Sequence, residues 1–271
     1  MLMLMVESAD EPVNGKVELI LEKITIPSPP VSICRPRLLD ALSQSFKLGT
    51  STVISGRAGT GKTTLALQFA ELCGRYIAWY KVDAPESELR IFLHYLIASI
   101  RGHRATFGTG PLRSVLNTAR GNGASNGEVI MLAEAFVHEL ERSPGPPLMI
   151  VIEDLHLVCD AEWLVPFFKR VLPLLPADVH MLITSRTMPP APLWRMRSKQ
   201  TLSVIDDDML GFTRNEASEL FASYNLTREQ AAIAFDHSHG RAAALASLAA
   251  TLHYTETHDH GIAFPDTVRV T

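Results

Sequence analysis

The 271-residue sequence has little cysteine and no excess of basic residues. Its three cysteines, Cys34, Cys73 and Cys159, are odd in number and far apart, which argues against a disulfide framework. They favour a reducing compartment, with the thiols used as small core residues. Lysine and arginine total 25 against 29 acidic residues, for a formal charge of −4 and no dense basic run. This balance gives no indication of a nucleic-acid-binding surface.

Neither a secretory leader nor a membrane-spanning segment is expected from the start of the sequence. The opening stretch MLMLMV is apolar, but it lacks the basic residues of a secretory leader and reaches Glu7 at once. It is too short to cross a bilayer. We therefore expect a cytoplasmic protein without a membrane partner. The length of 271 residues suffices for one large domain or for one domain plus a small appendage, and the 46% of apolar residues supports a sizeable core.

Short apolar runs alternate with helical patterns through the first 210 residues. Strands are predicted at 51–55, at 76–82, within PPLMIVIEDLH at 146–156, at 179–186 and at 201–206. Helices are predicted at 35–46, 63–73, 87–100, 128–141 and, with a break at Pro173, 167–175. Because each strand is apolar on both faces, the alternation predicts an α/β fold whose parallel sheet is covered by helices on both sides.

The rest of the chain has a different character. Residues 1–30 carry no clear periodicity and are treated as an extension before an α/β domain at 31–210. Within that domain, 101–127 is poorly patterned, and GNGASNG at 121–127 is predicted to be a mobile surface loop. Only helices are expected after 211, where two capping boxes begin helices. We therefore predict a small helical domain at 211–255 and a tail at 256–271.

The segment GRAGTGKT, from Gly56 to Thr63, matches G-x-x-x-x-G-K-T in full and lies between a predicted strand and a predicted helix. Backbone N–H groups can converge on a triphosphate only where side chains are absent, and the helix that follows adds its positive end. Lys62 is expected to reach the β- and γ-phosphates, and the Thr63 hydroxyl to ligate Mg²⁺. The predicted nucleotide contacts in this loop are Gly56, Arg57, Ala58, Gly59, Thr60, Gly61, Lys62, Thr63 and Thr64.

Two acids, Glu153 and Asp154, follow a buried strand at its carboxyl end, where open α/β sheets bind ligands. One carboxylate can hold Mg²⁺ and the other can orient or deprotonate an attacking water. The residues do not decide which acid takes which role. Arg186 ends another predicted strand, so its guanidinium is a candidate contact for the γ-phosphate that distinguishes ATP from ADP.

The motifs together resemble the nucleotide-binding module of the signal-transduction ATPases with numerous domains, and most closely the large ATP-binding LuxR-type regulators. The resemblance runs from about residue 31 to 252. It is carried by SICRPRLLDAL, the phosphate loop, IAWYKVDAPESELRIFLHYLIASI, IVIEDLHLV, LITSRTMPP and LGFTRNEASELF. Two departures stand out. Glu153–Asp154 replaces the usual pair of aspartates, and Arg241 in HGRAAAL replaces an aromatic residue of the lid.

The resemblance implies an ATP- or ADP-binding domain with Mg²⁺, in which Arg35 and its neighbours close over the adenine and ribose. It also implies that the Arg186 strand lies between the phosphate-loop strand and the Glu153 strand, and that residues after 211 form a lid. Such proteins switch from a closed, ADP-bound form to an ATP-bound form that self-associates or engages a protein partner. In family members a sensor region and a DNA-binding domain follow the nucleotide-binding module. Neither region is recognised in this sequence, so direct DNA binding by this chain is not expected.

These observations predict a slowly hydrolysing Mg-ATP switch, with Lys62, Glu153, Asp154 and Arg186 as its catalytic groups. Two alternatives remain open from the sequence. One is a nucleotide-binding interaction domain that does not turn over. The other is a P-loop kinase for a small molecule, which would need an acceptor pocket and lid arginines that the sequence does not clearly offer.

Overall fold

A computed structural model describes residues 19–30, 32–49, 51–118, 125–196 and 201–258. The described residues form one five-stranded sheet in which every strand pairing is parallel. Its strands are β1 (Ser51–Ser55), β2 (Tyr76–Lys81), β3 (Leu148–Glu153), β4 (Val179–Ser185) and β5 (Leu202–Ile205). The strand order across the sheet is β2-β3-β4-β1-β5. The parallel sheet predicted from the apolar runs is therefore confirmed.

The described residues also form eleven α-helices, several of which cover the sheet. They are α1 (Pro36–Lys47), α2 (Lys62–Leu72), α3 (Leu89–Arg101), α4 (Pro111–Thr118), α5 (Asn126–Arg142), α6 (Leu164–Val171), α7 (Ala191–Trp194), α8 (Asp207–Leu210), α9 (Arg214–Ser223), α10 (Arg228–Ser238) and α11 (Ala242–His258). Single 3-10 turns occur at Leu21–Ile24, Ala84–Ser87, Leu155–Val158 and Leu172–Leu174. The last of these follows α6 and contains Pro173, where the helical pattern was expected to break.

Successive strand residues point to opposite faces of the sheet, so each strand supplies two separate cores. Helices α1 and α2 pack on one face, where Trp79 of β2 and Val151 of β3 join one buried cluster. Helices α3, α5 and α6 pack on the other, where Tyr80 and Ile152 join a second cluster. The near-continuous apolar runs of the sequence follow from this burial on both faces.

Strand order determines which strand ends meet at the nucleotide edge. Strand β4 lies between β1 and β3, as the family resemblance implied. Its pairing with β1 continues into the phosphate loop, because the Gly56 N–H donates to the Ser185 carbonyl at 3.1 Å. The residues that follow β1, β3 and β4 therefore converge at one edge, which is the arrangement that binds ligands in open parallel sheets.

Helices α9, α10 and α11 pack around a core of their own. The capping boxes predicted for the first two are present, with Thr213 and Glu216 before α9 and Thr227 and Gln230 before α10. Each box satisfies two helix-terminal N–H groups from side chains of the same turn. The proposed domain boundaries at 210 and 255 stay a prediction, but the described residues from 212 to 258 contain helices and no strand, as expected.

The poorly patterned segment contains a helix that the sequence did not reveal. Helix α4 begins where the buried Glu139 carboxylate accepts from the backbone N–H groups of Gly110 at 3.0 Å and Leu112 at 2.9 Å. The predicted surface loop is also too long, because Ser125 and Glu128 form a capping box and α5 starts at Asn126. The remainder of that loop, 121–124, lies outside the described residues.

The expectation that all three cysteines are core residues is wrong. Cys34 is exposed, and Cys73 and Cys159 are only partly buried. Cys34 directly precedes Arg35, which is the buried residue at this point of the chain. Across the parts of the chain that the structure describes, the helices are too short or too polar for any of them to traverse a lipid bilayer.

Candidate functional site

The loop between β1 and α2 adopts the conformation that its glycines permit. Gly59 and Gly61 have φ of +78° and +85°, in the left-handed region that favours glycine. Gly61 is the N-cap residue of α2, and it has no side chain with which to cap the helix. The first N–H groups of α2 therefore face the loop without a side-chain oxygen, as an anion-binding helix start requires.

Lys62 is the first residue of α2 and is buried. Its ammonium curls over the loop and donates to the carbonyls of Gly56 at 2.5 Å and Arg57 at 2.8 Å. Burial lowers the pKa of this ammonium, the Asp154 charge opposes that shift, and the Arg186 charge adds to it. The cation is thus held inside the loop, with the acids of β3 and the arginine of β4 within electrostatic reach.

Thr63 and Glu153 meet directly across the edge of the sheet. The Thr63 hydroxyl donates to Oε1 of Glu153 at 2.5 Å. Glu153 is the last residue of β3 and is buried, and its other oxygen, Oε2, accepts from the Trp79 indole at 3.2 Å. A hydroxyl and a carboxylate oxygen in contact are the hard ligands that Mg²⁺ takes in nucleotide sites, so these two residues fit a magnesium site.

Asp154 lies one residue further and in a different environment. Its backbone is left-handed, with φ of 60°, and its N–H donates to the Thr184 hydroxyl at 3.1 Å. Its Oδ1 is 3.7 Å from Nδ1 of His156. Burial lowers the pKa of His156, the Asp154 charge opposes this, and Arg186 and Lys62 reinforce it. The two acids that the sequence could not tell apart are therefore oriented differently.

Arg186 follows β4 at the same edge of the sheet and is exposed. Its charge lowers the pKa of both Lys62 and His156, so the guanidinium lies within electrostatic reach of the phosphate loop. The preceding Ser185 is buried, and its hydroxyl donates to the Thr187 carbonyl at 2.7 Å. This bond spans Arg186 and closes the turn that follows β4.

A cleft of about 230 Å³ opens beside the loop and reaches the C-terminal helices. Arg35 lines it, is buried, donates to the Leu210 carbonyl at 2.8 Å, and lies 5.0 Å over the Phe212 ring. Burial lowers the pKa of Arg35 to about 10, although Glu216 opposes the shift. The cleft is lined by Pro30, Ser32, Ile33, Arg35, Gly59, Gly61, Thr64, Phe212, Leu220, Ala242, Ala243 and Ala246.

The C-terminal helices rest directly on the phosphate loop. The Arg57 guanidinium pairs with Asp207 of α8 at 2.8 Å. Arg241 donates to the Ala58 carbonyl at 3.1 Å, and the Ala243 N–H donates to the Gly59 carbonyl at 2.9 Å. Arg241, which departs from the family's aromatic residue, thus takes part in the contact between the helical part and the loop.

Every predicted site residue lies at this edge or in the adjoining cleft, but sequence reasoning missed part of the site. The missed residues include Asp207 of α8, Trp79 of β2, and, after residue 211, Phe212, Leu220, Ala242, Ala243 and Ala246. The blocks LGFTRNEASELF and HGRAAAL contain most of these residues and were the one signal available. Their placement over the loop depends on tertiary contacts.

Replacing Gly59 with alanine is expected to destabilise the fold through the contact with α11. A Cβ at Gly59 would lie 2.7 Å from the Ala243 Cβ, in addition to the cost of a positive φ. Gly74 has φ of +64°, and a Cβ added there would have no atom within 4 Å. Gly74→Ala therefore measures the free-energy cost of the positive φ alone. We expect about 1 kcal/mol for Gly74→Ala and about 1–3 kcal/mol more for Gly59→Ala, measured by urea unfolding.

A compensating change separates contact from strain in the same assay. Ala243→Gly removes the opposing methyl group, so Gly59→Ala combined with Ala243→Gly should be less destabilised than the two single effects added together. Strict additivity of the two substitutions would mean that the helical part does not rest on the loop as described.

Comparison with known proteins agrees with this architecture. The AAA ATPase domain family matches residues 32–183. The HTH-type transcriptional regulator MalT of Cronobacter sakazakii is 31% identical over 195 residues, which cover 70% of this chain and 20% of that protein. The chain therefore spans about a fifth of the length of this curated relative. The resemblance to the ATP-binding LuxR-type regulators is confirmed.

Solved structures also align with this chain, at lower sequence identity. A variant of RuvB from Thermotoga maritima aligns at 15% identity and a TM-score of 0.47, covering 84% of this chain and 64% of that one. The ORC1 protein of Aeropyrum pernix, solved in complex with DNA, aligns at 16% identity and a TM-score of 0.43, covering 86% of this chain and 62% of that one.

Proposed function

The chain belongs to the AAA ATPase domain family, and from that membership and the site geometry we propose that it binds Mg-ATP and hydrolyses it slowly as a signalling switch. The observation that carries the proposal is the convergence of Lys62, Thr63 and Glu153 at one sheet edge. A glycine turn with no ligand would explain neither the buried ammonium nor the hydroxyl in contact with a buried carboxylate.

The triphosphate is held by the phosphate loop. The backbone N–H groups from Ala58 to Thr63, which lead into the start of α2, supply convergent donors, and Lys62 supplies a full positive charge. Burial of Lys62 strengthens its attraction to phosphate, because an interaction between charges grows as water is excluded. Several donors acting together can hold a ligand that carries several negative charges.

Thr63 and Glu153 are the residues that would hold Mg²⁺, and the ion would neutralise charge on the β- and γ-phosphate oxygens. This assignment follows from the 2.5 Å contact between the two side chains. It leaves Asp154 to orient or deprotonate the attacking water. Asp154 suits that role because its pair of oxygens is not committed to Thr63, and because its turn projects it beyond the end of β3.

The cleft beside Arg35 is the proposed seat of the adenine and ribose. Phe212, Ile33 and Leu220 give it apolar walls, and Gly61 and Thr64 join it to the phosphate loop. Arg35 connects the two regions, since its guanidinium donates to Leu210 and lies over Phe212. A nucleotide that fills the cleft would contact both the sheet domain and the C-terminal helices, which would make those helices a lid.

Arg186→Ala is expected to reduce discrimination between ATP and ADP. Arg186 is exposed at the loop edge, where a guanidinium can contact the γ-phosphate that ADP lacks. A charge-assisted hydrogen bond is worth about 1.5–3 kcal/mol, so the ratio of ADP to ATP dissociation constants should fall about tenfold or more. Parallel titrations with both nucleotides measure it.

Arg170→Ala provides the matched control for this titration. Arg170 is also an exposed arginine, but it pairs with Glu134 on the α5–α6 side of the molecule. Its removal should leave the ratio unchanged. Equal discrimination by wild type and Arg186→Ala would reject the role assigned to Arg186.

The switch itself depends on a difference in affinity between two forms of the protein. A ligand moves a conformational balance only by that difference, and a change from 1:99 to 99:1 needs about 5.5 kcal/mol. We propose that ATP favours a form that self-associates or binds a protein partner. Size measurement with ADP and with a non-hydrolysable ATP analogue tests this, and an identical size with both would count against it. The absence of direct DNA binding stays a prediction.

A further inference from the structure

The Glu153 carboxylate is held at both of its oxygens. Oε1 accepts from the Thr63 hydroxyl at 2.5 Å, and Oε2 accepts from the Trp79 indole N–H at 3.2 Å. Glu153 is 5% exposed and Trp79 is 1% exposed, so the contact between them has no ready competition from solvent. A buried carboxylate needs donors on its oxygens, and here a strand neighbour supplies one and the phosphate-loop helix supplies the other.

The register of the sheet explains how the indole reaches this carboxylate. On β2 and β3, Trp79 is paired with Val151 and Lys81 is paired with Glu153. Trp79 and Lys81 point to the same face, as do Val151 and Glu153, because strand side chains alternate. That face is covered by α2, the helix that carries Thr63. The indole therefore extends along the α2-covered face toward the carboxyl edge and ends at Oε2.

We propose that Trp79 is a positioning residue for the magnesium site. Its N–H restrains Oε2 of Glu153 and so keeps Oε1 directed at Thr63, where the two oxygen ligands meet. The proposal rests on the proposed function, because it assigns the Thr63–Glu153 pair to Mg²⁺. Donors that orient a metal-binding carboxylate typically change metal affinity about 10- to 100-fold when they are removed.

The length of the acid is part of the same arrangement. Glu153 is in contact with two groups on different elements, the hydroxyl of α2 and the indole of β2. An aspartate at this position is one methylene shorter and cannot keep both contacts without backbone movement. Glu153→Asp should therefore raise the Mg²⁺ concentration needed for half-maximal ATP binding, as loss of the indole donor does.

The primary experiment is a Mg²⁺ titration of ATP binding for wild type, Trp79→Phe and Trp163→Phe. Trp163 is a matched control: it is also buried, and its indole N–H donates to the Ser87 carbonyl, but it packs with Phe92 in the opposite core. We expect the Mg²⁺ concentration for half-maximal binding to rise about 10-fold or more in Trp79→Phe only. Binding of ATP in EDTA should be equal in all three proteins.

The outcomes separate the two claims. If wild type binds no ATP at any Mg²⁺ concentration, the proposed function fails and the inference fails with it. If wild type binds Mg-ATP and Trp79→Phe shows the wild-type Mg²⁺ dependence, only the role of Trp79 is overturned. The Trp79→Phe/Glu153→Asp double variant tests whether the two residues act together. A Mg²⁺ requirement no higher than that of the more impaired single variant supports a shared action, and additive losses oppose it.

A second measurement keeps the test available if Trp79→Phe does not fold. The chain has three tryptophans, so Trp163→Phe with Trp194→Phe leaves Trp79 as the only one. Its emission should change when Mg²⁺ is added with ATP but not when ATP is added in EDTA. Adding Glu153→Gln should shift the starting emission and remove the response. A Trp79 emission that changes neither on addition of Mg²⁺ with ATP nor on Glu153→Gln substitution would overturn the proposal.

Discussion

Replacing Lys62 with alanine is expected to abolish measurable nucleotide binding. The substitution removes the ammonium that lies inside the phosphate loop and donates to Gly56 and Arg57. A hydrogen bond to a charged group is worth about 1.5–3 kcal/mol, and Lys62 can make more than one to a triphosphate, so affinity should fall about 100-fold or more. Calorimetric titration with Mg-ATP provides the measurement.

Lys47→Ala is the control for this substitution, because it removes an exposed lysine at the end of α1. That variant should bind Mg-ATP as wild type does. Both proteins should keep cooperative thermal unfolding, since the loop conformation is set by its glycines and by its contacts with α8 and α11. Mg-ATP binding of near wild-type strength by Lys62→Ala would contradict the assignment of the phosphate loop as the triphosphate site.

Asp154→Asn is expected to stop hydrolysis while leaving nucleotide binding in place. Asparagine has nearly the same shape as aspartate and is among the few residues that tolerate the left-handed backbone found here, with φ of 60°. Alanine would add backbone strain and confuse the result. General-base catalysis contributes about 10²–10⁴ in rate, so single-turnover hydrolysis should slow by about that factor.

Glu153→Gln is the companion variant, because the two acids are assigned different tasks. It should weaken Mg²⁺-dependent binding, whereas Asp154→Asn should bind Mg-ATP normally. The reverse pattern would exchange the two roles. If wild type binds Mg-ATP but shows no turnover at all, the switch would have to work by nucleotide exchange alone, which is the non-hydrolysing interaction domain left open by the sequence.

Much of the sheet could be predicted because the determining interactions are local. Strands β1, β3 and β4 are buried throughout, and a short apolar run records that burial directly. Helix α4 could not be predicted in this way. The Glu139 carboxylate takes the place of a local cap at the start of this helix. Glu139 is 27 residues away from Leu112, from whose N–H it accepts a hydrogen bond. A pattern search along the chain has no access to such a contact.

The site divides in the same manner. The phosphate loop and the acid pair are contiguous motifs, so their residues could be assigned from spacing alone. The different environments of Glu153 and Asp154 could not, because they depend on Thr63 and Trp79, which are 90 and 74 residues from Glu153. The cleft walls at Leu220 and Ala246 come from helices whose docking is decided by tertiary packing.

The most direct test of the central claim is calorimetric titration of ATP into the wild-type chain, once with Mg²⁺ and once with EDTA. We expect saturable heat at one site, with distinctly tighter binding when Mg²⁺ is present, because Thr63 and Glu153 would then contribute to nucleotide binding through the ion. Heat that is absent in both titrations, or that is the same with and without Mg²⁺, would contradict that claim.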